Sequence, residues 1–418
     1  MRVRGTVRVP GDKSISHRAL ILASLSEGDS TIRGLPDSGD VESTARVLRA
    51  LAAAVPPLSS VVSMKGAGLH GLRPSRTSLD CGNSGTTARL VAGMVAAQFF
   101  TARFEGDASL SKRPMKRIAE PLTYMGAHFE FEHGDGLPMT VRGCDLRSID
   151  WDTGGSSAQV KSALLLAGLI AGVEVRVTEA APSRDHTERM LRAMGIDVEN
   201  DGNQVCLRPS ARLTPLDFDV PADPSSAAMF VALATMADEG EIVVADVCVN
   251  PIRTGFIEVL KRMGGDITPG AVRESAGEPV ASLTVRPAAL ESIRIGGGDV
   301  PSLIDELPLL ACVAAGNGIE LEVTGAQELR VKESDRIAAV VDNLVSIGAA
   351  AEELSDGFRV RGRKQPLAGT VDARGDHRVA MAFGILGAVR DNRIEVRGRE
   401  CVGISYPGFW DDLKRAVA

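Results

Sequence analysis

The chain has 418 residues, enough for two or three domains with sizeable cores. Apolar residues make up 44% and charged residues 24%, the balance of an average soluble enzyme. Aromatics at 4% and a net charge of −7 exclude a base-stacking surface and a general nucleic-acid binder, so an anionic ligand must meet positive charge gathered locally.

Six cysteines (81, 144, 206, 248, 312 and 401) are widely spread without a C-x-x-C pair, which fits reduced thiols in a cytoplasm better than disulfides or zinc. The opening MRVRGTVRVPGDK has no apolar core of a signal peptide, and no run approaches eighteen uncharged apolar residues, so neither export nor a membrane span is expected.

In chain order, VPGDKSISHRALILASL (9–25) sets Lys13, Ser14, His17 and Arg18 at the head of an apolar helix-like run. The arrangement recurs at 84–97 (SGTTARLVAGMVAA), 156–171 (SSAQVKSALLLAGLIA), 225–237 (SSAAMFVALATMA), 302–315 (SLIDELPLLACVAA) and 375–388 (GDHRVAMAFGILGA). Each run predicts about three turns of helix entered through small polar or charged residues. Most lead into β-branched runs after glycine or a turn, such as GVEVRV, GEIVV, GIELEV and NRIEVRG. A second helix-like stretch follows in several: RPMKRIAEPLTYMG, RDHTERMLRAMG, RTGFIEVLKRMGG, SDRIAAVVDNLVSIG and GFWDDLKRAV.

Six units spaced by roughly seventy residues are too long for a solenoid and predict an internally symmetric α/β protein. If the helix starts converge, their amides and partial positive charge make an anion-binding centre. The irregular stretch 52–76 contains G-A-G-L-H-G at 66–71, which formally matches a dinucleotide-binding pattern. Pro74 stands where the helix should run and no acid follows about twenty positions on, so a tight hairpin is the better reading.

Lys13, Arg18, Arg113, Arg184, Lys332, Arg336 and Arg378 recur at unit starts or beside prolines. Arginine forks suit carboxylate and phosphate, and lysine supplies a movable charge. A substrate pair with two phosphates and two carboxylates needs about this many cations. Two acids lie among them. Asp305 heads an apolar helix and reads equally as a cap; Glu333, between Lys332 and Arg336, reads equally as half of a surface ion pair.

GDKSISHRAL, GNSGTTARL, SKRPM, SAQVKSALLLAGL, SRDHTERM, DELPLLA, LRVKESDRI and GDHRVAMAF together resemble the 3-phosphoshikimate 1-carboxyvinyltransferase (EPSP synthase) family, in its order and from residue 11 to Pro407. Ala158 between Ser157 and Gln159 marks its Ser-Ala-Gln branch. The resemblance implies the two-lobed enolpyruvyl-transferase fold of α/β class: six βαβαββ-type repeats, three per lobe, an inside-out α/β barrel. One lobe would span residues 11–221, the other 1–10 plus 222–418, with the active site in the cleft between them.

The implied reaction transfers the enolpyruvyl group of phosphoenolpyruvate to the 5-hydroxyl of shikimate 3-phosphate and releases phosphate. The route is addition then elimination, in the shikimate pathway leading to chorismate and aromatic amino acids, with no metal or organic cofactor. Carried over by position, Lys13, Ser14, Arg18, Ser157, Gln159, Ser183, Arg184, Asp305 and Lys332 would contact shikimate 3-phosphate. Lys13, Gly85, Arg113, Gln159, Arg336 and Arg378 would contact phosphoenolpyruvate. Asp305 would take the 5-hydroxyl proton, and Glu333 with Lys13 would move the proton at the methylene carbon. Asn83, Thr86 and His377 would orient these groups.

His17 is given no role and is expected to pack or hydrogen-bond locally. Ile404, in ECVGISYPGFW, stands where some members carry a lysine that touches phosphoenolpyruvate. Gly85 would leave room for glyphosate in that pocket. The implied partners are the two small substrates, without nucleic acid or membrane, and the implied state is a cytoplasmic monomer. Two alternatives remain: a UDP-N-acetylglucosamine enolpyruvyl transferase, which usually has a cysteine in the loop that here reads GDASLSKRPM, and a non-catalytic phosphate-binding protein of the same fold.

Overall fold

A computed structural model describes residues 1–210, 212–362, 366–389 and 391–417. All six apolar runs form helices: Lys13–Leu25, Gly85–Ala96, Ala158–Ala171, Pro224–Thr235, Leu307–Asn317 and His377–Ala388. They are apolar on nearly every face, and most of their residues are buried, as central helices require. Five begin with a side-chain cap: Asp12, Ser84, Ser157, Asp223 and Asp376 each accept from a backbone N–H of the first turn. The Leu307–Asn317 helix is the exception. It follows two 3₁₀ turns, Val300–Ser302 and Ile304–Glu306, and its start has no side-chain cap bond.

A second, amphipathic set comprises Gly39–Ala50, Lys116–Met125, His186–Ala193, Gly255–Arg262, Arg336–Ser346 and Phe409–Ala416. The first of these was not anticipated, because its apolar positions Val41, Ala45, Val47 and Leu48 are interleaved with charge.

Three repeats run uninterrupted as βαβαββ. In the clearest, strand Ile149–Asp152 leads through helix Ala158–Ala171 to the parallel strand Val175–Thr178. Helix His186–Ala193 and the antiparallel strands Val198–Asp201 and Gln204–Leu207 complete it. The repeats starting at Leu79–Asp80 and Ile293–Ile295 have the same order.

Two more are assembled from distant chain. Strand Asp217–Asp219 lies parallel to Asp29–Arg33, beside the Lys13–Leu25 helix. Strand Arg2–Val7 lies parallel to Glu239–Cys248, beside the Pro224–Thr235 helix. The sixth pairs Ala368–Asp372 with Arg393–Arg397 and ends at a bridge between Val3 and Val417.

The chain divides into two compact units. One is Met1–Pro10, Pro221–Glu274 and Pro279–Ala418; the other is Gly11–Val220 with the four residues Ser275–Glu278. Each holds three of the described sheets. Within the Gly11–Val220 unit, helices Gly85–Ala96 and Ala158–Ala171 press backbone to backbone: a Cβ on Gly93 would lie 2.4 Å from the carbonyl oxygen of Ala163, so only glycine allows this approach.

Residues 66–71 form no hairpin. Val61–Lys65 pairs with Asp29–Arg33, and the following turn hydrogen-bonds back to Ser24, Ser26 and Gly28 at the end of the first helix. No helix among the described residues is long and apolar enough to cross a membrane.

Candidate active site

The residues singled out in the sequence fall into two sets, one in each unit. In the Gly11–Val220 unit most of them lie at or near the starts of the central helices, with Arg113, Ser183 and Arg184 just before the amphipathic helices Lys116–Met125 and His186–Ala193. Arg18 is buried and donates from each of its three nitrogens: Nε to Thr187 Oγ1 at 2.7 Å, Nη1 to the Ser14 carbonyl at 2.9 Å and Nη2 to Ser162 Oγ at 2.8 Å. Burial pushes it down to about 10, partly offset by Glu188, so it remains a cation at neutral pH. Arg184 reaches Ser14 Oγ at 3.5 Å, and Lys13 Nζ donates to Asp40 at 2.8 Å.

Thr86, Gln159 and Arg89 form a second group. Gln159 accepts from Arg89 at 2.6 Å and donates to Thr86 Oγ1 at 3.0 Å. Arg113 donates to Asn83 at 3.0 Å, and Asn83 donates to Asp107 at 2.7 Å. A Cβ on Gly85 would lie 2.9 Å from Arg89 Nη1 and 3.5 Å from Arg113 Nη1, which places this glycine against both cations.

Ser157 and Ser183 meet around one buried carboxylate. Glu179 accepts from the Ser157 N–H at 3.0 Å, the Ser183 N–H at 3.2 Å and Lys161 Nζ at 2.7 Å. Nearby Glu188 lies 2.9 Å from the same ammonium.

His17 is fully buried and its partner is distant in sequence. Nδ1 meets Thr44 Oγ1 at 2.6 Å, in a chain continuing through Thr87 to Ser84. Burial lowers its pKa to about 3, so the ring is neutral.

In the other unit Arg336 is the hub. Its side chain is 1% exposed, and it donates to Asp376 from Nε at 2.7 Å, to Asp305 from Nη1 at 3.1 Å and to Glu333 from Nη2 at 2.6 Å. Burial alone would lower its pKa, but the three carboxylates outweigh that and raise it. Burial would raise Asp376, yet Arg336 holds it below its ordinary value.

Asp305 also has Arg378 at 3.6 Å and Lys332 at 3.9 Å, so its carboxylate faces three cations and does not cap the helix that it precedes. Glu333 is in an ion pair, but with a buried arginine. His377 is buried in the first turn of its helix. Ile404 ends the 3₁₀ segment Arg399–Ile404, just before the buried Tyr406.

Sequence reasoning passed over Arg89, Lys161, Glu179 and Asp376. Arg89 alone had a signal, lying one helical turn after Gly85. Among the described residues one trio of possible metal ligands is close together, Asp185, His186 and Glu278. There His186 Nδ1 lies 2.7 Å from Glu278, and Arg189 donates to Asp185 at 2.8 Å and to the Gly277 carbonyl at 2.8 Å, so a guanidinium supplies positive charge.

A family model described as EPSP synthase (3-phosphoshikimate 1-carboxyvinyltransferase) matches residues 1–413. The chain belongs to the EPSP synthase family. It is 46% identical to the 3-phosphoshikimate 1-carboxyvinyltransferase of Persephonella marina, across 100% of this chain and 98% of that protein. The enzyme of the same name from Aquifex aeolicus is 45% identical, with the same coverage.

Among solved structures, an EPSP synthase from Acinetobacter baumannii superposes with a TM-score of 0.89 at 40% identity, covering 100% of this chain and 96% of that one. The enolpyruvyl transferase NikO from Streptomyces tendae has a TM-score of 0.76 at 18% identity, covering 99% and 95%, and shares the fold. The α/β enolpyruvyl-transferase fold implied by the sequence motifs is the fold of this EPSP synthase family member.

Proposed function

We propose that the chain transfers the enolpyruvyl group of phosphoenolpyruvate to the 5-hydroxyl of shikimate 3-phosphate, as a 3-phosphoshikimate 1-carboxyvinyltransferase of the shikimate pathway. The observation that carries this reading is the family match along almost the whole chain, with relatives of that name at 45–46% identity.

Lys13, Ser14, Arg18, Ser157, Gln159, Ser183, Arg184 and Lys332 hold shikimate 3-phosphate; Lys13, Gly85, Arg113, Gln159, Arg336 and Arg378 hold phosphoenolpyruvate. Asn83, Thr86 and His377 orient them. Asp305 accepts the 5-hydroxyl proton as that oxygen attacks C2 of phosphoenolpyruvate. The methylene carbon gains a proton from Glu333 with Lys13, giving a tetrahedral adduct. Loss of a proton from the same carbon then reforms the double bond as the phosphate departs. Proton transfers of this kind contribute about 10²–10⁴ each, and the rest comes from juxtaposing two anions within fixed positive charge.

The buried convergence of Arg18 on Ser14, Ser162 and Thr187 supports a preformed anion site. The cations around Asp305 support a role in charge development. Neither unit by itself carries both the serine set and the acid pair. The reading includes a cytoplasmic monomer, and six cysteines outside any disulfide favour a reducing compartment; light scattering tests the monomer.

The deciding experiment measures phosphate release from phosphoenolpyruvate, with shikimate 3-phosphate and UDP-N-acetylglucosamine in separate reactions. Release with the first alone is expected. Release with the second alone, or with neither, overturns the reading.

A further inference from the structure

The loop entering the Ala158–Ala171 helix and the loop after strand Val175–Thr178 carry Ser157 and Ser183. Neither loop can hold its serine by regular backbone pairing, because each lies beyond the end of a strand. They are joined through Glu179, whose side chain is 1% exposed. One carboxylate oxygen accepts from the Ser157 N–H at 3.0 Å, and the other from the Ser183 N–H at 3.2 Å and from Lys161 Nζ at 2.7 Å. The same ammonium lies 3.3 Å from the Ser183 carbonyl, so Ser183 is gripped at both its N–H and its C=O.

Lys161 is itself 2% exposed, and the carboxylates of Glu188 and Glu179 outweigh burial and keep its pKa raised. A buried charged hydrogen-bond network of this kind is costly unless every member is satisfied, and then it fixes geometry. Two places are left over: the Glu188 oxygens, which meet Lys161 as an ion pair without a hydrogen bond, and Ser183 Oγ, which is buried and has no hydrogen-bond partner among the described residues. A buried hydroxyl without a partner beside a rigid backbone is available to a ligand.

We propose that Glu179, braced by Lys161, is a positioning residue that locks the Ser157 and Ser183 backbones in one fixed relation, giving a cradle for the phosphate of the sugar-like substrate before that substrate arrives. The identity of the phosphate as that of shikimate 3-phosphate rests on the proposed function. The locking itself rests on the four contacts of Glu179 and Lys161. A second brace, between Ser156 and Ala181, is exposed and leaves the serines' own amides untouched.

The test is Glu179→Gln, whose amide NH₂ cannot accept where a carboxylate oxygen did. Dissociation constants for shikimate 3-phosphate and for shikimate, which lacks the phosphate, are measured by calorimetry on wild type and variant. Glu179→Gln is expected to weaken shikimate 3-phosphate about ten- to hundredfold while shikimate stays within about threefold. A loss shared equally by both ligands, or no loss, overturns the proposal, since general loosening does not single out the phosphate.

Wild type that fails to prefer shikimate 3-phosphate over shikimate overturns the functional reading instead. Should Glu179→Gln not fold, Glu179→Asp, which keeps a carboxylate for Lys161 but shortens its reach to the two amides, is read in the same way. On wild type without ligand, hydrogen exchange of the Ser157 and Ser183 amides gives an independent result: strong protection is expected, and free exchange overturns the proposal.

Discussion

Arg336 Nε donates to Asp376 at 2.7 Å, and both side chains are almost wholly removed from water. Asp376 also accepts from Ser334 Oγ and caps the helix that carries His377 and Arg378. One carboxylate thus ties the arginine that faces Asp305 and Glu333 to the start of the Arg378 helix. Removing Asp376 leaves Arg336 with Asp305 and Glu333 but takes away its most buried partner, so the cost falls toward the lower end of the about 3–5 kcal/mol of a broken buried pair.

Asp376→Ala is therefore expected to lose about that much stability in urea unfolding. Because the native carboxyl is held below its ordinary value, the unfolded chain binds more protons in acid. This contribution is present above the unfolded value, near pH 4, and lost as pH falls through the native one. The variant should accordingly show a shallower acid decline than wild type below about pH 4. Equal stability of the two proteins at pH 7 would count against the buried pair.

Asp305 is the expected proton acceptor, and Arg336, Arg378 and Lys332 stand around it. Asp305→Asn keeps the volume and removes the base. Turnover is expected to fall about 10²–10⁴-fold, while shikimate 3-phosphate binding by calorimetry stays within about tenfold. Near-normal turnover would take Asp305 out of this role.

The helix starts were legible because one pattern, small polar residues before an apolar run, recurs six times, and Lys13, Ser14 and Arg18 stand out against it. The partners that hold such residues were not legible. Glu179 reads in GVEVRVTEA as the ordinary end of a strand, yet it pairs with a lysine 18 positions earlier, the one charged residue of the Ala158–Ala171 helix. Asp376 reads as a helix cap, which it is, but its ion pair with Arg336 spans 40 positions.

Long-range ion pairs leave no period or spacing in a sequence, because the fold sets the distance. The same limit explains His17: a local partner was expected, and Thr44 lies 27 residues on, brought near by the packing of the first two helices. The two assembled repeats were hidden for a related reason, since their outer strands Asp217–Asp219 and Arg2–Val7 come from the far side of the chain.

His17 gives a pH prediction with the opposite residue type. The native ring is neutral, with its pKa lowered to about 3 by burial, whereas the unfolded ring titrates near its ordinary value. Between those values the unfolded chain binds more protons, so stability rises with pH. This group alone should cost about 2 kcal/mol on going from pH 7 to pH 5. His17→Asn can keep a contact to Thr44 but does not titrate. Urea midpoints at the two pH values should therefore differ less for the variant than for wild type. A variant as acid-sensitive as wild type would mean that His17 is not the group responsible.

Gly85 tests the anion pocket sterically. An added Cβ would sit 2.9 Å from Arg89 Nη1, the atom that donates to Gln159, and 3.5 Å from Arg113 Nη1. The first distance is too short for the arginine to stay where it is, and the second fills the space in front of the other cation. Backbone strain is not at issue, since Gly85 begins a regular helix that alanine tolerates. Gly85→Ala is expected to raise KM for phosphoenolpyruvate about tenfold, with a smaller change in kcat and an unchanged dissociation constant for shikimate 3-phosphate. Steady-state kinetics separates these quantities. Equal weakening of both substrates would show that the methyl group disturbs the helix start as a whole, and an unchanged KM would place phosphoenolpyruvate away from Gly85.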